Sequence, residues 1–266
     1  MTARLLIIDP QNDFCDIPGA ALPVPGANAD MQRLADFMRS AGTALTDIAV
    51  TLDSHPSVAI ERTTFWATGG GDAVSPLTPV TAEDVRRGRY LPRDRALLGE
   101  VLAYLDALES GGKYTLMVWP VHCVIGTWGH NIHAAVAVEL AAWEMSSQRG
   151  ALKVLKGLNP LTEQYSAVRA EVPRADDETT QTRRELIDRL ASGDGFLLVA
   201  GEASSHCVAA TMTDVFQYLS AEQLHRTILL RDCMSPVSGF EGAQEEFLGS
   251  AKALGVRVMV SSEAFG

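Results

Sequence analysis

Four things are scarce or missing in this chain of 266 residues, and each absence excludes a class of function. Positive charge is the first. Lys and Arg total 22 against 33 Asp and Glu, a net charge of −11, so a phosphate backbone is a poor partner and no nucleic acid is expected. The acidic residues are scattered, with one short cluster, "DDE" at 176–178, that reads as solvated surface. Long apolar runs are the second: none approaches the ~18 residues of a membrane span. The opening "MTARLLIIDPQNDF" carries one Arg and an apolar run far shorter than a signal-peptide core. A soluble, cytoplasmic protein with no membrane partner is expected. Cysteine is the third, with four residues (15, 123, 207, 233) and no CxxC. That usage fits a reducing compartment better than a disulfide framework or a zinc knuckle. The fourth absence is repetition. There is no internal repeat or low-complexity tract, and "GGG" at 69–71 lacks the flanking strand and helix that a phosphate loop needs.

What the chain does have is alternation. Short apolar, β-branched runs recur at 4–9, 47–53, 114–119, 152–156, 196–201 and 226–232, with "VRVMVSS" (256–262) as a further edge strand. Between them lie helical patterns, among them "NADMQRLADFMRSAG", "NIHAAVAVELAAWEM" and "SSHCVAATMTDVFQYLS". Such alternation predicts a parallel sheet with helices on both faces, in a single α/β domain over 1–266. Residues 67–113 are too long for an ordinary crossover and read as an insertion: a lid, an oligomer contact or plain decoration. Within it, "TAEDVRRG" predicts a short capped helix after a loop, "ATGGGDAVSPLTPV".

In a parallel α/β sheet, function gathers at the carboxyl ends of the strands. The first strand ends at Asp9, the second at "DSH" with Asp53 and His55, and the fourth at Lys156. The third runs into "WPVHC" with His122, and the fifth leads through "GEASSH" to Cys207. Each has a plain alternative, a turn-forming Asp, a structural His or a core Cys. Together they bring acid, ammonium, imidazole and thiol to one side of the sheet. Cys207 opens a helix, where unpaired N–H groups and the helix dipole favour a thiolate.

Six segments in this order, "LLIIDPQNDFC", "VTLDSHP", "WPVHCVIGTWG", "KGLNPLTEQYSAV", "VAGEASSHCVAAT" and "LLRDCMSPVSG", resemble the cysteine hydrolase superfamily of nicotinamidases and isochorismatase-like hydrolases. The resemblance covers most of the chain outside 67–113. It implies a three-layer α/β/α fold around a six-stranded parallel sheet and a catalytic triad matching Asp9, Lys156 and Cys207. In that triad a carboxylate takes the thiol proton and an ammonium favours the thiolate. Backbone N–H groups of Ala203 and Cys207 would hold the oxyanion, and a non-proline cis peptide is expected at Glu202–Ala203.

Asp53, His55 and His122 match the family's ligands for a divalent ion (zinc, iron or manganese), with Glu61 as a possible fourth. Phe14, Trp119 and Tyr165 match the aromatic wall of the nicotinamidase pocket. The resemblance thus implies an amidohydrolase that converts nicotinamide or a similar small amide to the acid and ammonia through a thioester, in a homo-oligomer. A carbamoyl, ureido or maleamate-type amide, or a family member without turnover, are the alternatives. Departures from the family pattern are Trp128 and His130 in "GTWGH", where "GTPGA" is usual, and Glu202 and His206 in "GEASSHCV".

Overall fold

The computed structural model describes residues 2–264. In chain order the elements are β1 (Ala3–Ile8), α1 (Ala27–Ala41), β2 (Leu45–Asp53), β3 (Trp66–Thr68), β4 (Thr78–Val80), α2 (Ala82–Arg86), β5 (Tyr90–Pro92), α3 (Leu98–Ser110) and β6 (Leu116–Val118). Then follow α4 (Ala134–Ser147), β7 (Leu152–Lys156), α5 (Arg184–Ala191), β8 (Phe196–Gly201), α6 (Cys207–Phe216), α7 (Ala221–His225), β9 (Thr227–Leu230), α8 (Glu241–Ala253) and β10 (Arg257–Met259). Six strands form a parallel sheet in the order β10-β9-β8-β1-β2-β7.

Alternation along the strands explains the layers. Leu6 and Ile8 of β1 face a core shared with Leu186, Ile187 and Leu190 of α5, Val208 and Met212 of α6, and Phe247 of α8. Leu5 and Ile7 face the opposite core, with Met31, Leu34 and Phe37 of α1 and Val136, Leu140 and Trp143 of α4. A strand apolar on both sides can sit only between two helical layers, so β1 is central. The expected three-layer α/β/α fold with a six-stranded parallel sheet is what is found. Among the described residues no helix is long and apolar enough to cross a membrane.

The run at 114–119 is a correction. It was expected as a strand of the main sheet, yet β6 pairs antiparallel with β4 in a two-stranded ribbon, and β10 completes the six. The reason lies in the long segment before it, which supplies β6 with a partner and a core of its own. Trp66, Val80, Val85, Val101, Tyr104 and Leu105 pack with Leu116 and Val118. The capped helix is found as expected: α2 is capped by Thr81, whose hydroxyl accepts from the Asp84 amide while the Asp84 carboxylate accepts from the Thr81 amide. The glycine-rich stretch before it is loop apart from the ends β3 and β4.

Candidate active site

Four adjacent strands deliver the chemistry. Asp9 follows β1, Asp53 ends β2, Lys156 ends β7, and Gly201 ends β8 ahead of the turn to Cys207 at the start of α6. Gly201 is required there: its φ is +121°, and a Cβ would overlap the backbone of Ile8. The Glu202–Ala203 peptide is cis, as expected.

Lys156, fully buried, is the hub. Its Nζ lies 2.9 Å from Asp9 Oδ2, 2.8 Å from Asp53 Oδ1 and 3.4 Å from Cys207 Sγ, and it donates to the Gln164 carbonyl at 3.3 Å. Asp9 Oδ1 also accepts from the Thr51 hydroxyl at 2.5 Å. Burial raises the Asp9 carboxyl above its usual range despite the pull of Lys156, so this is a carboxylate ready to accept a proton. Burial likewise pushes the Cys207 thiol well up, with Lys156 opposing it, so the resting sulfur is a thiol. Burial alone would lower Lys156, but Asp53 and Asp9 hold its ammonium well above the ordinary lysine value. Asp9, Lys156 and Cys207 are therefore brought together as the motifs anticipate.

The thiol opens into a cavity with about 410 Å³ of empty space, part of it open to solvent. Phe14, Trp119 and Tyr165 all line it, with Trp119 Nε1 donating to the Tyr165 hydroxyl at 3.0 Å. His206 joins this wall, edge-on to Trp119 at a centroid distance of 5.2 Å and to Phe240 at 4.7 Å. Burial lowers its pKa to about 4, so the imidazole is neutral. Ala203 also borders the cavity, and its carbonyl accepts from the amides of His206 and Val208. Cys207 opens α6, where N–H groups have no intrahelical acceptor. No residue of 67–113 lines this cavity. That segment instead buttresses the wall through Tyr104, whose hydroxyl accepts from the Glu163 amide at 3.2 Å.

Asp53, His55, Glu61 and His122 also come together, but around another side chain. His55 Nε2 lies 2.7 Å from Asp53 Oδ1 and its Nδ1 lies 2.9 Å from Glu61 Oε1. Burial would lower the His55 pKa, but the Asp53 and Glu61 carboxylates together raise it to about 9. Burial would raise Asp53, but His55 and Lys156 hold it well below the usual carboxylate range. His122 Nε2 sits 3.3 Å from Asp53 Oδ2, and burial beside Arg62 lowers its pKa to about 4.

Arg62, with none of its side chain exposed, fills the centre of this group. Its Nε is 3.0 Å from Glu61 Oε1, its second terminal nitrogen 3.7 Å from Asp53 Oδ2, and its first 3.0 Å from His122 Nε2. Among the described residues, no group of three or more His, Cys, Asp or Glu side chains is arranged to hold a metal ion. As folded, the donor set does not fit the divalent ion implied by the resemblance.

Arg62 and Glu163 carry no signal in the sequence. An Arg in a polar loop reads as exposed, and Glu163 sits in no periodic element. Glu163 is buried against the cavity, and burial with Glu61 nearby raises its carboxyl to about 8. Of the departures from the family pattern, Trp128 is half exposed and His130 Nε2 meets the Ser54 hydroxyl at 2.8 Å. Glu202 is buried and does not line the cavity; its carboxyl group, raised well above the usual range by burial, accepts from the Ser235 amide at 3.1 Å. Cys15, Cys123 and Cys233 are buried, unpaired thiols pushed up by burial.

No family model matches the chain. It is 28% identical over 217 residues to a nicotinamidase of Escherichia coli, covering 80% of this chain and 76% of that protein. It is 26% identical over 235 residues to a nicotinamidase of Saccharomyces cerevisiae, 88% of each. Among solved structures, the yeast nicotinamidase bound to the inhibitor nicotinaldehyde superposes with a TM-score of 0.67 at 21% identity, over 97% of this chain and all of that one. A pyrazinamidase of Pyrococcus horikoshii in complex with zinc superposes with a TM-score of 0.55 at 20% identity, over 98% and 99%. In sequence this chain is thus similar to nicotinamidases, and it carries the fold of the nicotinamidases and isochorismatase-like hydrolases.

Proposed function

We propose that the chain is a cysteine amidohydrolase that converts nicotinamide, or a closely similar small aromatic amide, to the acid and ammonia. The observation that carries this reading is the Lys156 ammonium, which joins the Asp9 carboxylate to the Cys207 thiol at the floor of an aromatic cavity. The sequence likeness to two nicotinamidases supports the substrate class.

The chemistry then follows from the chain's own groups. The ring of the amide lies against Phe14, Trp119 and Tyr165, with its carbonyl carbon over Sγ. Asp9, made basic by burial, takes the thiol proton as Cys207 attacks, and Lys156, beside both groups, stabilises the negative charge as it passes from the carboxylate to the sulfur. The amides of Ala203 and Cys207 receive the oxyanion. Asp9 returns the proton to the leaving nitrogen, the C–N bond breaks, and ammonia departs to leave a thioester. Asp9 next accepts a proton from a water that attacks the thioester carbonyl. The C–S bond breaks, the acid leaves, and the proton on Asp9 restores the thiol.

Ammonia release from nicotinamide, followed by a coupled assay with Cys207→Ala as control, tests this. Cysteine-dependent release is expected. Release that persists in Cys207→Ala would end the mechanism, and no release from the intact chain would end the substrate assignment.

A further inference from the structure

Three of the four residues matched to metal ligands already face a cation. We propose that the Arg62 guanidinium is the resident cation of this pocket: it takes the place of a divalent ion among Asp53, Glu61 and His122, and its remaining N–H groups bind an acceptor on the substrate, such as the ring nitrogen of a heteroaromatic amide. The chain then works without bound metal. The substrate half of this statement rests on the reading given under Proposed function; the metal half does not.

The placement is built by the backbone. Trp119 N donates to the Glu61 carbonyl at 2.7 Å and Thr63 N to the Trp119 carbonyl at 3.1 Å, so Arg62 is clipped beside "WPVH". Its first terminal nitrogen donates to the Pro120 carbonyl at 3.2 Å, which fixes the guanidinium against His122. A divalent ion needs ligand atoms at about 2.0–2.2 Å. Of the atoms that would supply them, Glu61 Oε1 and both ring nitrogens of His122 lie against Arg62, and Asp53 Oδ2 is 3.7 Å from it. The first terminal nitrogen of Arg62 stands against both ring nitrogens of His122, in close contact with Nδ1 and 3.0 Å from Nε2, and Nδ1 also faces the Pro120 carbonyl at 2.8 Å. His55 Nε2 is hydrogen-bonded to Asp53 Oδ1 at 2.7 Å, while its Nδ1 stands 2.9 Å from Glu61 Oε1 without an aligned hydrogen bond. Arg cannot shed its charge to make room for another cation.

The guanidinium also has capacity to spare. Arg62 borders the same cavity as Cys207. Its Nε and second terminal nitrogen meet the carboxylates by charge but have no aligned hydrogen-bond partner, although they are fully buried. Buried N–H groups left so are costly, and a bound acceptor relieves them. A planar fork of donors reads a lone pair lying in its plane, where a metal ion would bind the lone pair directly.

The wild-type chain, washed with EDTA, is assayed for metal by plasma mass spectrometry before and after incubation with excess Zn²⁺, Mn²⁺ or Co²⁺, with Co²⁺ absorption as a second readout. Nicotinamide hydrolysis is followed in parallel. Wild type is expected to retain far less than one ion per chain, to show no protein-bound Co²⁺ spectrum and to keep its rate after chelation. Arg62→Ala, which empties the space, is expected to bind Co²⁺. Both Arg62→Ala and Arg62→Met are expected to raise KM by about tenfold or more. One tightly held ion per wild-type chain overturns the proposal, and so does an Arg62→Ala chain, shown by circular dichroism to be folded, that refuses Co²⁺. An unchanged KM in both variants overturns the substrate-binding half. If Arg62→Ala does not fold, the wild-type metal content alone decides the metal half. If nicotinamide is not hydrolysed, the substrate assignment falls while the metal content still decides this one.

Discussion

Replacing Lys156 by Met removes the charge at the hub while keeping most of the side-chain volume. Two carboxylates, Asp9 at 2.9 Å and Asp53 at 2.8 Å, then lose their shared ammonium inside the protein. At an effective dielectric of ~20, each contact amounts to about 6 kcal/mol of attraction before desolvation is subtracted. Removing one partner of a buried pair costs a net of about 3–5 kcal/mol, and that is the expected loss of stability near neutral pH. The loss depends on pH with a definite sign. Asp9 is already raised by burial, and without Lys156 it rises further. An acid whose folded pKa is raised stabilises the fold most below its unfolded value of about 4, and that contribution disappears as pH climbs through the folded value. The gap between wild type and Lys156→Met should therefore widen from pH 5 to pH 8. Urea unfolding at several pH values reads it directly. The same variant should alkylate Cys207 more slowly, about tenfold for each unit that the thiol pKa rises, and should lose about 10²–10⁴-fold in turnover. A stability gap that is flat or narrows with rising pH, or that stays under about 1 kcal/mol, would refute the assignment of Lys156 as the charge that holds the site together.

Cys207→Ala should abolish ammonia release and leave the thermal midpoint within a few degrees of wild type, as seen by circular dichroism, because a small buried side chain replaces another. His206, at about 4, binds a proton in the unfolded chain before it does in the fold, so stability is full above pH ~6.5 and falls by up to about 3 kcal/mol toward pH 4; denaturant midpoints should fall less steeply over that window in His206→Phe. Tyr104→Phe leaves the Glu163 amide without its acceptor and should cost about 1–3 kcal/mol, measurable by urea titration, although the residue lies in the 67–113 segment, away from the strand ends. Gly157→Ala would drive a Cβ into the His55 ring at a backbone φ of +77°; expression should drop or activity vanish, whereas a fully active variant would show that the His55 ring has room to move.

The sheet and its helical layers were legible because β1, β2, β8 and β9 are short, doubly apolar runs, and periodicity reports such burial directly. The positions of Asp9, Lys156 and Cys207 were legible because each stands where a strand stops, and parallel sheets put all such stops on one side. The run at 114–119 was misread because an apolar strand looks the same whichever sheet it joins. Its partner, β4, is three residues of a Pro-containing segment with no strand signal of its own. Arg62 was invisible for a different reason. Its burial is imposed by the pairing of Glu61 and Thr63 with Trp119, a contact between segments more than fifty residues apart, and neither composition nor spacing reports it.

The strand order has a further consequence for how the site fails. The thiol and Asp9 hang from β8 and β1, which have neighbours on both sides, whereas Lys156 arrives on β7, the outermost strand at its end of the sheet. An edge strand is bonded on one side only and exchanges its amide hydrogens through smaller openings than its central neighbours. As the protein is warmed, the ammonium should come adrift while the nucleophile and its acid are still held in place. Heat would then silence the chemistry some degrees before it dissolves the sheet, and a rate measurement would register the first loosening of β7 that circular dichroism misses.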